Sequence, residues 1–207
     1  MCAVGFYEDQ ILPRCVNVLL GNSEFRKVRK RVAAGLSGEV LEVGFGSGHN
    51  VPFYPPEVRR VRAVDPATTG RKLAAKRVAA STVAVEYIGL QAERLPLQAE
   101  SIDHVLVTWT MCTIPDVGLG LREMHRVLRA GGQLHFAEHG KAPDPKVARW
   151  PDRLNPLQQK LAGGCNLNRS IDEIVAGAGF ALDKLDCYYA KGPKVVGFMY
   201  EGIATKA

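Results

Sequence analysis

A short apolar run, Glu39 to Val43, feeds directly into Gly44-Phe45-Gly46-Ser47-Gly48, and this junction constrains the chain more than any other stretch. The run reads as a buried strand. The alternating glycines permit a tight turn in which backbone lies against a ligand where a Cβ would collide. A strand that ends in such a turn opens an α/β unit, whose ligands bind beyond the carboxyl ends of the strands. A second strand, Val58 to Val64, ends at Asp65-Pro66. A carboxylate there accepts two hydrogen bonds from the cis hydroxyls of a ribose, so the two strand ends together expect a nucleoside.

The rest of the chain continues the alternation. Apolar positions such as Ile11, Cys15, Val18 and Leu19 predict helix over 5–20, and a second helix follows over 22–35. A helix from Thr69 to Ala80 leads to a third strand, Val83 to Ile88. Ile102 to Trp109 is nearly continuous in apolar character, as in a strand buried on both faces. Asp116 caps a helix whose buried stripe is Leu121, Met124 and Leu128. Gly131-Gly132 ends it, and Gln133 to Ala137 is the fifth strand. Ser170-Ile171-Asp172-Glu173 reads as a capping box for a last helix, which stops over Gly177 to Gly179. Strands from Ala181 to Tyr189 and Lys194 to Ala204 meet at Lys191-Gly192-Pro193 as a hairpin. The expected fold is α/β, a seven-stranded, mostly parallel sheet with an antiparallel C-terminal hairpin and helices on both faces. Neither repeats nor linkers interrupt residues 1–207, which read as a single domain with an N-terminal helical lid (1–36) on a core (37–207).

The glycine spacing selects the nucleoside. A dinucleotide fingerprint, GxGxxG, places its third glycine at a helix start that holds pyrophosphate. Here that place is His49, and the glycines run GxGxG behind Glu42. This is the pattern of adenosylmethionine enzymes, and it disfavours a nicotinamide dehydrogenase.

With these residues the chain resembles the class I, Rossmann-like methyltransferases, in particular the ubiquinone/menaquinone-biosynthesis type. Gln91-Ala92-Glu93-Arg94-Leu95-Pro96-Leu97, Ser101-Ile102-Asp103-His104-Val105 and Glu123 through Gly132 are similar to three further stretches of that family, in the same order. A narrower resemblance, to the methyltransferase-like seven group, rests on Asn50 to Pro55, Met111 to Asp116, Glu138-His139-Gly140 and Gly163 to Arg169. Animal members of that group are thiol methyltransferases held on membranes by an N-terminal hydrophobic anchor. No such anchor is read here, since Glu8, Asp9 and Arg14 interrupt the first twenty residues.

The resemblance implies S-adenosylmethionine as cofactor and assigns roles. Gly44, Phe45, Gly46 and Gly48 would underlie it. Glu42 would reach its amino-acid end, with Asn50 beside it. Asp65 would hold the ribose, and Pro66 would flank the adenine. Gln91 stands where the family usually has Asp, Ala92 would give a backbone contact, and Thr108 and Trp109 would meet the ammonium group. For the acceptor, the candidates are Tyr7 in the lid, Thr110 and His139.

No side chain stands out as a general base, so the catalytic residue is left unassigned. That mildly favours an acceptor that ionises readily, such as a thiol. Phenols, quinone precursors and lipid-like molecules are the other small-molecule acceptors in view. His104 and His135 lie in strands and read as structural. Cys112 and Cys165 read as small buried hydrophobes, and Phe53 and Trp150 as pocket lining or core. Five scattered cysteines (Cys2, Cys15, Cys112, Cys165 and Cys187), with no spacing suited to zinc, read as reduced thiols of a cytoplasmic protein without a metal. The net charge of +6 includes Arg26, Lys27, Arg29, Lys30 and Arg31, which read as one face of a helix, and a second set at Arg71, Lys72, Lys76 and Arg77. A solvated surface is the simpler reading of both sets. RNA methylation and non-catalytic adenosylmethionine binding are the alternative functions, but the chain lacks the aromatic interleaving that stacks bases, so nucleic acid is not expected as a partner. No apolar stretch is long enough to span a membrane.

Overall fold

The computed structural model describes residues 7–145, 147 and 163–206. Seven strands form one sheet: β1 (Gly38–Val43), β2 (Val58–Val64), β3 (Ala84–Gly89), β4 (Ile102–Thr108), β5 (Leu128–His139), β6 (Phe180–Tyr189) and β7 (Phe198–Lys206). Their order is β3-β2-β1-β4-β5-β7-β6. β1 pairs in parallel with both β2 and β4, whereas β7 runs antiparallel to both β5 and β6. The winding direction therefore switches between β1 and β4, and a crevice opens beyond their carboxyl ends.

Period-2 alternation divides the core into two layers. Val40, Val61, Leu106 and Ala137 face helix α2 (Ser23–Ala33), where they meet Val28, Val32 and Ala33. Leu41, Val105, Val107, Leu134 and Phe136 face the other way, onto Leu121 and Met124 of α4 (Val117–Val127) and Ile171 and Val175 of α5 (Ile171–Gly177). β4 is apolar on both sides because both sides are covered. Each large aliphatic side chain so buried contributes roughly 1.5–3 kcal/mol. Helix α1 (Leu12–Leu19), which follows a single π-helical turn at Tyr7–Ile11, buries no residue of its own. α3 (Thr68–Ala79) packs Ala74 against Phe45, Val51 and Ala63.

The expected strand and helix order is present, with four local differences. Leu128 does not close the α4 stripe. It is extended (ψ 140°) and begins β5, so its buried side chain belongs to the sheet. Ser170 precedes α5 but its side chain makes no capping bond. β7 begins at Phe198 rather than Lys194, because residues 190–197 form a longer turn closed by Ala190 N–H to Gly197 C=O. The basic residues of α2 are not one solvated face. Arg29 is buried, Arg31 pairs with Glu201, Lys27 pairs with Glu24, and Arg26 lies over the Phe53 ring. Likewise Arg71 stacks on Tyr87, and Arg77 donates to the Ser47 carbonyl. Among the described residues no helix is long and apolar enough to cross a membrane.

Candidate active site

The turn after β1 is shaped by what cannot fit beside it. Gly44 has φ +79°, and a Cβ there would overlap the Thr110 side chain. Gly70, in the first turn of α3, approaches so closely that its Cβ would lie 2.9 Å from the Gly46 carbonyl oxygen. Gly48 (φ +73°) faces Ala74, Val51 and Phe45, so its role is to pack the turn on α3. Asp65 fastens the assembly: Oδ2 accepts from Gly46 N–H at 2.6 Å and Oδ1 from Ala67 N–H at 2.8 Å. Burial raises the Asp65 pKa, and the two backbone donors oppose that shift. Each carboxylate oxygen keeps a free lone pair.

A buried polar network stands beside the turn. The Glu42 side chain is fully buried and accepts from Asn50 Nδ2 at 3.0 Å and from the Tyr54 hydroxyl. Asn50 Nδ2 also donates to Thr108 Oγ1 at 3.0 Å. Arg29 Nη1 donates to both Asn50 Oδ1 and Thr108 Oγ1 at 2.9 Å. Its guanidinium lies 4.6 Å from the Trp109 ring centroid, a stacked cation–π contact. Burial pushes Glu42 up to about 7 and Arg29 down to about 10, so Arg29 stays charged at neutral pH. Trp109 holds φ +51°, a costly value for a bulky residue, while its N–H donates to Ala137 C=O at 2.9 Å and its ring meets Phe25 edge-on.

Turn and network enclose a cavity of about 400 Å³ at the crevice, a size suited to one small-molecule ligand. Gly44, Phe45, Gly46, Asp65, Pro66, Thr108, Trp109 and Thr110 line it, all eight of them sequence candidates. Several other candidates do not. Glu42 and Asn50 are buried behind the lining, where they position Arg29. Ala92 is buried in the core with Leu95, and Gln91 is exposed. Tyr7 is 41% exposed and lies off the lining; α1 instead offers Leu12, Pro13 and Val16, with Leu20 just past its end. Phe53 packs against the α2 layer, and Trp150 and Cys2 lie outside the described residues. A second hollow, about 420 Å³ and lined by Lys76, Arg77 and residues 80–83, adjoins the entrance to β3, away from the strands' carboxyl ends.

Among the lining residues that were not candidates, two carry titratable side chains. Arg29 sits inside a basic run that gives no hint which member turns inward. His49 lines the cavity and, through Nε2, donates to the Asn17 carbonyl of α1 at 3.0 Å. Burial, with Arg29 and Arg77 nearby, lowers its pKa to about 4, so the ring is neutral and ties α1 to the turn. The strand histidines are structural: His104 Nδ1 lies 3.3 Å from His135 Nε2, and His135 Nδ1 donates to Val32 C=O at 2.9 Å. His139 is not part of the cavity lining; its Nε2 lies 3.0 Å from Cys165 Sγ.

The cavity can be tested against S-adenosylmethionine. Arg29 Nε is buried without a hydrogen-bond partner, so the guanidinium has donor capacity left for a carboxylate at the lining. The glycine turn is a cradle that a Cβ would close, and Asp65 retains lone pairs for hydroxyl donors. The residues fit a cofactor with an amino-acid end and a ribose.

Comparison with known proteins agrees. Residues 41–136 match the methyltransferase domain family. The chain is 36% identical over 164 residues to human thiol S-methyltransferase TMT1A, covering 73% of this chain and 64% of that one. It is 29% identical over 140 residues to a demethylmenaquinone methyltransferase of Clavibacter sepedonicus, covering 66% and 57%. It thus spans less than two thirds of the length of these relatives. In fold it is similar to a SAM-dependent methyltransferase from Aquifex aeolicus, with TM-score 0.63, 19% identity, and coverage of 94% and 98%. A glycine turn, a buried carboxylate and an inward arginine at the switch of such a sheet accord with these matches, and the chain belongs to the S-adenosylmethionine-dependent methyltransferase family.

Proposed function

We propose that the protein transfers the methyl group of S-adenosylmethionine to a small apolar acceptor, with a thiol as the first choice and a phenol or quinone precursor as the next. One observation carries this reading: Asp65 and the buried, charged Arg29 line the same crevice as the glycine turn. In this reading Asp65 accepts from the ribose hydroxyls, Arg29 pairs with the methionine carboxylate, and Pro66 lies along the adenine. Glu42 and Asn50 act as positioning residues that hold Arg29. The cofactor supplies a methyl on a sulfonium, already a strong donor, so the protein must align the acceptor and exclude water.

The apolar α1 residues in the lining support an apolar acceptor and a lid formed by residues 1–36 on a single domain, 1–207. None of the described lining side chains is a carboxylate or charged histidine beyond Asp65, which is engaged by backbone. An acceptor that reaches its anion near neutrality suits such a site, and a thiol does so with a reference pKa of about 8.5. The similarity to thiol S-methyltransferases points the same way. The described cysteines are all thiols, which supports a reducing, cytoplasmic setting.

Calorimetric titration with S-adenosylmethionine, followed by mass spectrometry of alkyl and aryl thiols incubated with protein and cofactor, tests the proposal. Micromolar binding and equimolar methyl thioether and S-adenosylhomocysteine are expected. Binding without methylation of any thiol would remove the thiol and shift the screen to phenols and quinols. No binding would overturn the reading as a whole.

A further inference from the structure

Beyond the cofactor cavity, three metal-binding side chains converge that lie far apart in sequence. Cys112 Sγ, Cys165 Sγ and a ring nitrogen of His139 all lie within 4.8 Å of one another. Both cysteines are buried, with Leu167 packed against them. A tetrahedral zinc with bonds of about 2.3 Å to sulfur and 2.0 Å to nitrogen needs ligand atoms roughly 3.5–3.8 Å apart. The cluster therefore needs side-chain adjustments well under the length of one bond.

Its surroundings call for a cation. Glu138, next to His139 and fully buried, accepts from Thr110 N–H at 2.7 Å and Met111 N–H at 3.0 Å through Oε1. Its Oε2 is buried with no hydrogen-bond partner among the described residues. Arg169 is the nearby cation, but it donates to the carbonyls of Met111 and Ile114. A buried carboxylate with an idle oxygen beside two thiols is costly unless positive charge compensates it.

We propose that Cys112, His139 and Cys165 bind a zinc ion, with its fourth position open to a thiolate. Three protein ligands with one position left over is the arrangement of zinc sites that handle substrate, and thiolate is a ligand zinc favours. The place suits that role: Thr113 and Gly163, one and two residues from Cys112 and Cys165, line the cofactor cavity. On coordination an acceptor thiol gives its proton to solvent. The bound sulfur then forms the new carbon–sulfur bond as the sulfonium carbon–sulfur bond breaks, and that bond's electron pair goes to the departing sulfur. The open position rests on the thiol reading above; the metal site does not.

The test uses the untagged full chain, purified under reducing conditions without chelator from zinc-supplemented cells. Elemental analysis is expected to find one zinc per chain. Cys112→Ser, Cys165→Ser and His139→Gln should lose it, while Cys187→Ser, at an exposed cysteine, should keep it. Because a ligand variant can fail to fold, the wild type is also loaded with Co²⁺, where thiolate-to-cobalt charge-transfer bands are expected. Adding a small thiol should then intensify those bands. Zinc-free wild type that takes up neither zinc nor cobalt on dialysis, or a Cys112–Cys165 disulfide in its peptide map, would overturn the metal site. Cobalt bands that thiols leave unchanged would overturn the open position. Neither readout needs adenosylmethionine or turnover, so failure of methyl transfer is seen separately.

Discussion

Around β1 and β2 the ligand-facing surface is mostly backbone: Gly44 and Gly46 at positive φ, with Asp65 anchoring two N–H groups. Around the ends of β4 and β5 side chains dominate: Arg29 and Thr108 reach the lining, Glu42 and Asn50 hold them from behind, and Cys112, His139 and Cys165 meet outside the lining. The first region is local in sequence, so its residue types are dictated by sterics that any chain making this turn must obey. The second joins residues from α2, the β1 turn, β4, β5 and the segment before α5, so each residue type is explained only by its partners. A backbone site tolerates little substitution at the glycines. A side-chain site can be retuned by changing one partner together with another.

Substitutions can break this contrast, and Gly44→Val should do so with the largest effect. Its Cβ would meet Thr110 and its φ is disfavoured for a branched residue. A loss of roughly 3–5 kcal/mol in urea unfolding and no measurable cofactor binding are expected. Asp65→Ala comes next. It removes a hydroxyl acceptor and the anchor of the turn, so affinity for adenosylmethionine and for methylthioadenosine should both fall about 100-fold, on the order of 3 kcal/mol. Equal affinity in the variant would remove Asp65 from the ribose role.

Arg29→Met separates the two regions more sharply. Adenosylmethionine should bind about 10- to 100-fold more weakly, as for a lost charge-assisted pair, whereas methylthioadenosine, which has no carboxylate, should bind as before. If both ligands weaken equally, Arg29 acts only through the shape of the cavity.

The histidine pair away from the cavity gives a smaller, pH-dependent effect. Burial holds His135 at about 4, below its unfolded value of about 6.5. As pH falls, the unfolded chain takes up this proton first, so stability is lost between about pH 6.5 and 4, on the order of 3 kcal/mol. Glu42, raised to about 7, titrates in the opposite sense, so the informative quantity is the difference between wild type and His135→Gln. The variant should lose less stability across that window in paired denaturation curves. The smallest effect belongs to Gln91→Ala. Gln91 is exposed and off the lining, and the change should alter cofactor affinity less than about 3-fold in the same titrations.

Much of the fold was legible because burial leaves a periodic trace. β2 and β4 stand where their apolar runs stand, and Asp116 caps α4 as its position implies, accepting from Leu119 N–H at 2.8 Å. Boundaries were misread where neighbouring elements compete for one residue. Leu128 satisfies a helical stripe and a strand equally well, and pairing of Ile102 with Leu128 assigned it to the sheet. Ser170 has the capping pattern without the capping bond.

By itself, the sequence determined the glycine turn, the carboxylate that ends β2 and the alternation that makes a parallel sheet, because each follows from sterics or periodicity within a few residues. Only the tertiary structure decided that Arg29 turns inward while Arg31 turns out to Glu201, that Glu42 stands behind the cavity rather than in it, and that two cysteines and a histidine more than twenty-five residues apart share one site. These depend on which strands lie side by side at the switch point, and long-range pairing of that kind leaves no mark on the spacing of the residues it joins.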